Sequence, residues 1–500
     1  MSESAAGSAA TTETTTETTT ETATETATET KGGAGGGAAA GTPAAEGTGA
    51  GSTAAAALPV PRPARAGRAE TVRFAATHTL PAFVRGAFHL RPRVVAAYAA
   101  LGQQGWSAAT LRAMRARHGG APVEVRGLSG PLLVLLDHAD VRRFYELPVR
   151  ILAMDAPDKY KGLSLLEPTG VICSHGDTRE ERRRVNDDVL AADRPVHPSC
   201  AEFQAVIAQE ATALVQGSEL DFPLLRRTVA RIGRRMVLGD AAAGDEELAR
   251  WLLAIREEAN WMRMRKGRAA AAEAVYRKAA ARVEEYAARA EPHTLAALAR
   301  SHPAASGPGA AALDAVGQAH HWLLALDTVG PTVARTLLLL AAHPAEQEAL
   351  RAELDGGGAE LPRLRACVQE TLRLFPIVPD LVRVTRAETQ WRGVHYPPGT
   401  AVLVPALFHQ RDPEHVPAAH QFVPARWLRA GAAQDTRMAP FSHGGGRCPG
   451  EHLGVLTAAE LTAAVLRGHR VTGGRPAVDP CLPLPGILSS AGIRLTLAQR

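Results

Sequence analysis

Aromatic residues make up only 4% of this chain, and only five of its 56 basic residues are lysine. So few aromatics leave no row of stacking platforms for a single-stranded nucleic acid. The five cysteines, Cys173, Cys200, Cys367, Cys448 and Cys481, are scattered, odd in number and free of any Cys-x-x-Cys pair. That pattern excludes a disulfide framework and a structural zinc site, and it points to a reducing compartment. Uninterrupted apolar runs are also missing. The longest, residues 321–342, is broken by Asp327, Pro331 and Arg335, which makes it a poor membrane span. The expectation is a soluble, cytoplasmic protein.

Hydrophobic residues able to form a core are absent from the first 57 positions, which are almost all Ala, Thr, Gly, Ser and Glu and include the near-repeat TTETTTETTTETATETATET. Such a segment cannot offset its ordering entropy and is expected to be a disordered tail. It is neither Arg-rich like a transit peptide nor built around the apolar stretch of a secretory signal. Its charge is acidic, seven Glu against Lys31 alone. Residues 58–500 therefore carry 55 basic and 44 acidic residues, a surplus of eleven positive charges. That sign suits an acidic partner, although the preference for Arg over Lys reads equally as a coding bias.

In that remaining part, PVEVRGLSGPLLVLLD (122–137) alternates and breaks at Ser-Gly, as a hairpin does. Asp137 or Asp140 then caps a short helix. Residues 201–342 read as almost wholly helical, with breaks near Gly217, Gly239–Gly244 and Ser306–Gly309. Further helices are expected at about 345–355, at 362–374 and at 451–468, with short strands over 381–406 turning at Pro397-Pro398-Gly399. The fold class is mainly α with a small β portion, a single large helical domain over 58–500.

Glu370 and Arg373, three apart, share one helix face. They form either an ordinary surface ion pair or, with Arg426 downstream, a buried network. Asp327 and Thr328 lie mid-way along an apolar helix with Pro331 just beyond, where proline opens the backbone. Such a pair either bonds locally, or binds and protonates a small ligand. The stretch PFSHGGGRCPGEHLG (440–454) raises three readings for Cys448. A phosphate loop fails, because Glu451 and His452 stand where Lys and Ser/Thr are required. Zinc finds no recognised spacing in Cys448, Glu451 and His452. What remains is a thiol before a helix N-terminus, where the dipole favours a thiolate, or a buried structural cysteine.

Taken in order, these pieces resemble a cytochrome P450 over most of residues 58–500. Asp327-Thr328 is followed by His343-Pro344, Glu370-x-x-Arg373, FPIVPDLVR, HQRDP at 409–413, FVPARW at 422–427, and Phe441 seven residues before Cys448. The resemblance implies a haem b whose iron is held by the Cys448 thiolate, with Phe441 beside it and the glycines, Gly450 among them, letting backbone approach the sulfur. It implies that Glu370, Arg373 and Arg426 lock the fold behind the haem, and that Asp327 and Thr328 relay protons while dioxygen is reduced. Arg183 and Arg383 match positions that pair with haem propionates, and Arg179 stands where many relatives have His.

The departures are specific. The family usually places Arg or His two residues before the cysteine, where this chain has Gly446. Arg447, one residue before it, looks like the loop of fatty-acid peroxygenases. That group replaces Asp-Thr with Arg-Pro, whereas this chain keeps Asp327-Thr328. Ala325 and Val329 stand where Gly and a second hydroxyl are usual. The implied activity is insertion of one oxygen atom from dioxygen into an apolar small molecule, in secondary metabolism. The implied electron source is a ferredoxin or flavodoxin with its reductase. A monomer is expected, without nucleic acid or a membrane span. The alternatives are a peroxide-driven peroxygenase and a haem-binding protein without oxygenase activity. Asp380, in PIVPDLV, is expected to meet a polar substrate group or solvent, and Met262 and Met264 to pack in the core or line a pocket.

Overall fold

The computed structural model describes residues 62–500 except 128, 129 and 359. The tail expected over residues 1–57 lies outside the described residues, as does the boundary at 58. Among the described residues helices dominate and the strands are short.

Apolar side chains on every face of Val329–Ala342 force this helix into the centre. Val333, Leu337, Leu339 and Leu340 are fully buried. Helices Phe222–Leu238, Pro362–Leu374 and Glu451–Gly468 pack around it, together with strand His469–Arg475. Among the described residues, Ala310–Ala341 is the one helical stretch long and apolar enough to cross a membrane. Protein buries 72% of its most apolar window, so that apolarity serves the core.

The sheets are peripheral. A six-stranded sheet runs in the order Ala64–Arg65, Val123–Arg126, Pro131–Val134, Ala401–Val404, Leu381–Thr385, Leu152–Ala153. Its hairpin pairs Val123 with Val134 and Arg126 with Pro131; Ser129 of the expected turn lies outside the described residues. Phe74, Leu111 and Met114, on N-terminal helices for which the sequence pattern gave no expectation, cover one face of this sheet.

Three local expectations are refined. Asp137 is the cap, accepting from the Ala139 amide at 2.8 Å. Asp140 turns inward to Arg392 at 2.9 Å, and burial pushes its carboxyl up to about 6. The helical run over 201–342 is interrupted by strand Glu219–Asp221, which pairs with the distant Arg494–Gln499. It also breaks between Glu246–Ala259 and Lys266–Ala287, where Met262 and Arg263 take left-handed conformations. No Gly or Pro announces that break. Asn260 ties it down by bonding the amides of Phe88 and His89 and the His89 carbonyl. Met264 is exposed there, and so is not a core residue.

If Val329–Ala342 is a protein core helix, Leu337→Ala will destabilise the chain by about 2–5 kcal/mol. Val72→Ala, at a side chain 68% exposed, will shift stability by less than about 0.5 kcal/mol. Chemical denaturation of both variants in detergent-free buffer checks this.

Candidate functional site

Three consecutive glycines favour neither helix nor strand, and here they let the chain pass through occupied space. Gly444 has φ +62°, and a Cβ on it would stand 2.0 Å from the Tyr145 carbonyl oxygen. The loop closes where the Cys448 amide donates to the Phe441 carbonyl at 2.9 Å. Phe441 itself packs against the principal core. Helix Glu451–Gly468 begins just beyond, with Gly450 as its cap.

Cys448 is half-buried at the mouth of this helix. Burial pushes its thiol up to about 11; the Gly450 amide, Arg183 and Arg447 pull it back only in part, and Glu451 opposes them. A thiolate favoured by the helix N-terminus alone is thus corrected: desolvation outweighs the amide and both guanidinium groups. The zinc reading loses its second ligand, because Glu451 accepts from Arg447 at 2.7 Å. The acidic and histidine groups that do cluster, Asp412, Glu414 and His415, are already engaged: Arg115 reaches Asp412 at 2.5 Å and Glu414 at 2.6 Å, and His415 Nδ1 lies 2.9 Å from Asp412.

Behind the loop, Glu370 and Arg373 are both fully buried. Arg373 donates from Nε and Nη2 to the two Glu370 oxygens, each at 2.8 Å. Arg426 Nε and the Val423 amide reach Oε1 at 3.1 and 3.0 Å, and Trp427 Nε1 reaches Oε2 at 2.9 Å. Burial raises the Glu370 carboxyl, yet these donors hold it below its usual range. Arg373 also donates to the carbonyls of Gln410, Ala419 and Gln421. The ion pair is therefore the buried network and not a surface contact. Trp427 is a member that sequence reasoning missed, although it adjoins Arg426 in FVPARW.

The helix carrying the acid and the hydroxyl is opened, as the proline demands. Ala319–Leu326 ends and Val329–Ala342 begins, with Asp327 and Thr328 between them. Pro331 has no N–H to offer the Asp327 carbonyl. The Thr328 hydroxyl donates to the Ala325 carbonyl at 2.6 Å, and the Thr332 hydroxyl to the Thr328 carbonyl at 2.9 Å. Asp327 pairs with Arg256 of helix Glu246–Ala259, a partner without any local sequence signal. Ala325 is exposed on an otherwise buried helix. Asp380 is half-buried and lines a small cavity with His78 and Ser107: His78 Nε2 lies 3.3 Å from it, and His78 Nδ1 lies 2.7 Å from the Ser107 hydroxyl.

The basic residues divide into two groups. Arg183 is engaged by Asp187 at 2.8 Å and by the Arg447 carbonyl at 2.7 Å, while Arg447 turns outward to Glu451. Arg179 and Arg383 form no ion pair among the described residues, and Arg179 keeps a donor unused. Arg179 Nη2 reaches the Gly445 carbonyl at 3.1 Å, but its buried Nε has no partner. Arg383, 1% exposed, lies over the Phe144 ring and donates to the Phe144 carbonyl at 3.0 Å; burial lowers it to about 10. A Cβ on Gly446 would stand 2.3 Å from Arg383 Nη2. This explains the missing side chain at 446: the Arg383 guanidinium fills its place.

This fold is shared with solved cytochrome P450 structures. The structure superposes on retinoic acid bound cyanobacterial CYP120A1 with a TM-score of 0.64 at 19% identity, covering 77% of this chain and 93% of that one. A 6-coordinated cytochrome P450 from Thermus thermophilus gives 0.58 at 22%, covering 78% and 98%. The family model described as Cytochrome P450 matches residues 323–489, from the opened helix past Cys448. Sterol 26-hydroxylase, mitochondrial, of Rattus norvegicus is 30% identical over 167 residues, and cyclooctat-9-en-7-ol 5-monooxygenase of Streptomyces melanosporofaciens is 33% identical over 157. Those alignments take in 30% and 29% of this chain, and 31% and 34% of the relatives' own length. Residues 323–489 thus resemble the cytochrome P450 family, and the chain spans about a third of the length of the curated relatives it matches.

That resemblance implies a haem, and the residues present fit one. Cys448 offers a sulfur in a loop whose glycines keep side chains away, Arg179 has a buried Nε without a partner beside Gly445, and Arg383 lies against Gly446 with no ion pair recorded.

Removing Glu370 strands two buried guanidinium groups. Glu370→Ala is expected to cost about 3–5 kcal/mol and to lower soluble yield, as thermal denaturation and expression will show.

Proposed function

We propose that this protein is a haem-thiolate monooxygenase that inserts one atom of dioxygen into an apolar small molecule. Its two electrons come from an external ferredoxin or flavodoxin and its reductase. The observation that carries this reading is Cys448, presented by a closed glycine loop at a helix mouth and backed by the Glu370–Arg373–Arg426 network. Haem, when bound, would be held by Cys448 Sγ and would supply the redox chemistry of its iron, with Cys448 as a thiolate.

The protein's own groups do the rest. Arg179 and Arg383 bind carboxylates beside the loop. Thr328, half-buried where the helix opens, holds a hydroxyl that can turn from the Ala325 carbonyl to donate a proton. Asp327 resupplies that proton through solvent reached past Arg256, whose ion pair sets when the carboxylate is available. Ile377 and Val378, exposed beside strand Leu381–Thr385, offer the apolar contact for substrate. The chain keeps Asp327-Thr328 where the peroxygenases have Arg-Pro, which favours dioxygen over a peroxygenase route. The surplus of basic residues suits an acidic electron donor, and the cytoplasm is the expected setting.

The dithionite-reduced protein under carbon monoxide will show a strongly red-shifted Soret band that Cys448→Ser abolishes; a band typical of histidine-ligated haem would overturn the reading. Asp327→Asn is expected to lower kcat by about 10²-fold through lost proton delivery, with haem content unchanged. Reduction by an acidic ferredoxin will slow as ionic strength rises; a rate indifferent to salt would remove the electrostatic partner assignment.

A further inference from the structure

The acids around the cysteine loop are already occupied. Asp187 holds Arg183 and Glu451 holds Arg447, while Asp155 pairs with Arg386 and Glu167 with His321. Among the described residues, Arg179, Arg383 and Lys159 beside them have no carboxylate within ion-pair distance. The first two lie against Gly445 and Gly446. Lys159 stands in the first turn of helix Pro157–Leu166 and is half-buried. Among the described residues its ammonium makes no hydrogen bond or ion pair. Asp155, one turn earlier, is the natural partner for it and is taken.

The chain leading into the Lys159 helix reaches the same place as Arg383: Ala153 pairs with Val384, and Met154 Sδ would lie 3.1 Å from a Cβ on Gly446. Burial lowers the Lys159 ammonium to about 8 and Arg383 adds to that, against the weaker pull of Glu167 and Asp155. Arg383 in turn is lowered first by burial, and Arg179 adds to that lowering. A half-buried ammonium near a buried guanidinium that itself neighbours Arg179 is costly unless an anion joins them. Lysine is also rare here, five of 56 basic residues, and it differs from arginine in being a compact charge on a flexible stem that can follow a ligand.

We infer that Lys159 completes, with Arg383 and Arg179, a cradle for a carboxylate, taking the part of the basic side chain that Gly446 lacks. The inference rests on the haem-thiolate reading of Cys448. The carboxylate is either a propionate of the porphyrin or the acid group of a substrate, and the two are separable by probe.

The test uses the full-length chain as wild type, Lys159→Met and Lys159→Arg. Haem-free protein is titrated with hemin and with iron protoporphyrin dimethyl ester, which lacks free carboxylates. Haem-loaded protein is titrated with dodecanoic acid and with dodecan-1-ol, following the Soret shift. Lys159→Met is expected to weaken the acid probe of one pair on the order of tenfold, leaving its neutral counterpart unchanged, with Lys159→Arg restoring most of the loss. A selective loss in the porphyrin pair assigns the cradle to a propionate; a selective loss in the dodecyl pair assigns it to substrate. An equal loss on acid and neutral probes, or no change in either pair, overturns the cradle. A thermal midpoint unchanged in Lys159→Met separates loss of charge from loss of fold. Should the wild type take up no hemin, the haem reading falls and the cradle with it; wild-type binding that Lys159→Met leaves intact removes the cradle alone.

Discussion

A single carboxylate out of reach of water organises the proximal half of this molecule. Glu370 accepts from Arg373, Arg426, Trp427 and the Val423 amide, and Arg373 then reaches three carbonyls between Gln410 and Gln421. An isolated buried charge is prohibitively costly, so each member makes the others tolerable. The geometry converts helix Pro362–Leu374 into a fixed post, to which the irregular chain from about 410 to 427 is tied. That chain leads straight into the cysteine loop. With so little regular structure between 411 and 450, the position of Cys448 depends on these bonds more than on any helix or strand.

The regular parts of the fold were legible because their signals are local. Pro362 opens a helix at its first position, and the apolar period of 451–468 persists to its end, so both helices fall where the pattern puts them. Elements whose reason lies elsewhere in the chain were not legible. Glu219–Asp221 is a strand only because Arg494–Gln499 lies beside it. The break at Asn260 exists because its side-chain amide grips the backbone at Phe88 and His89. Neither signal can be found within a window of neighbouring residues.

The same distinction runs through the site. Cys448, Phe441, Glu370, Arg373 and Arg426 announce themselves by residue type and order. Arg256 and Lys159 do not, since an arginine or a lysine on an amphipathic helix looks the same whether it faces solvent or a buried acid. Their significance comes from which acids are already paired, and pairing is a property of packing. The thiol of Cys448 teaches a related lesson. The helix N-terminus suggests a thiolate, but the enclosure that the helix helps to create acts more strongly in the opposite sense.

The space shared by Gly446 and Arg383 has an evolutionary consequence. A side chain introduced at 446 would meet the end of the Arg383 guanidinium first, so its accommodation requires that guanidinium to move. The cost of a change at 446 is therefore set by where the Arg383 side chain can go. Positions 383 and 446 should consequently covary among this chain's descendants.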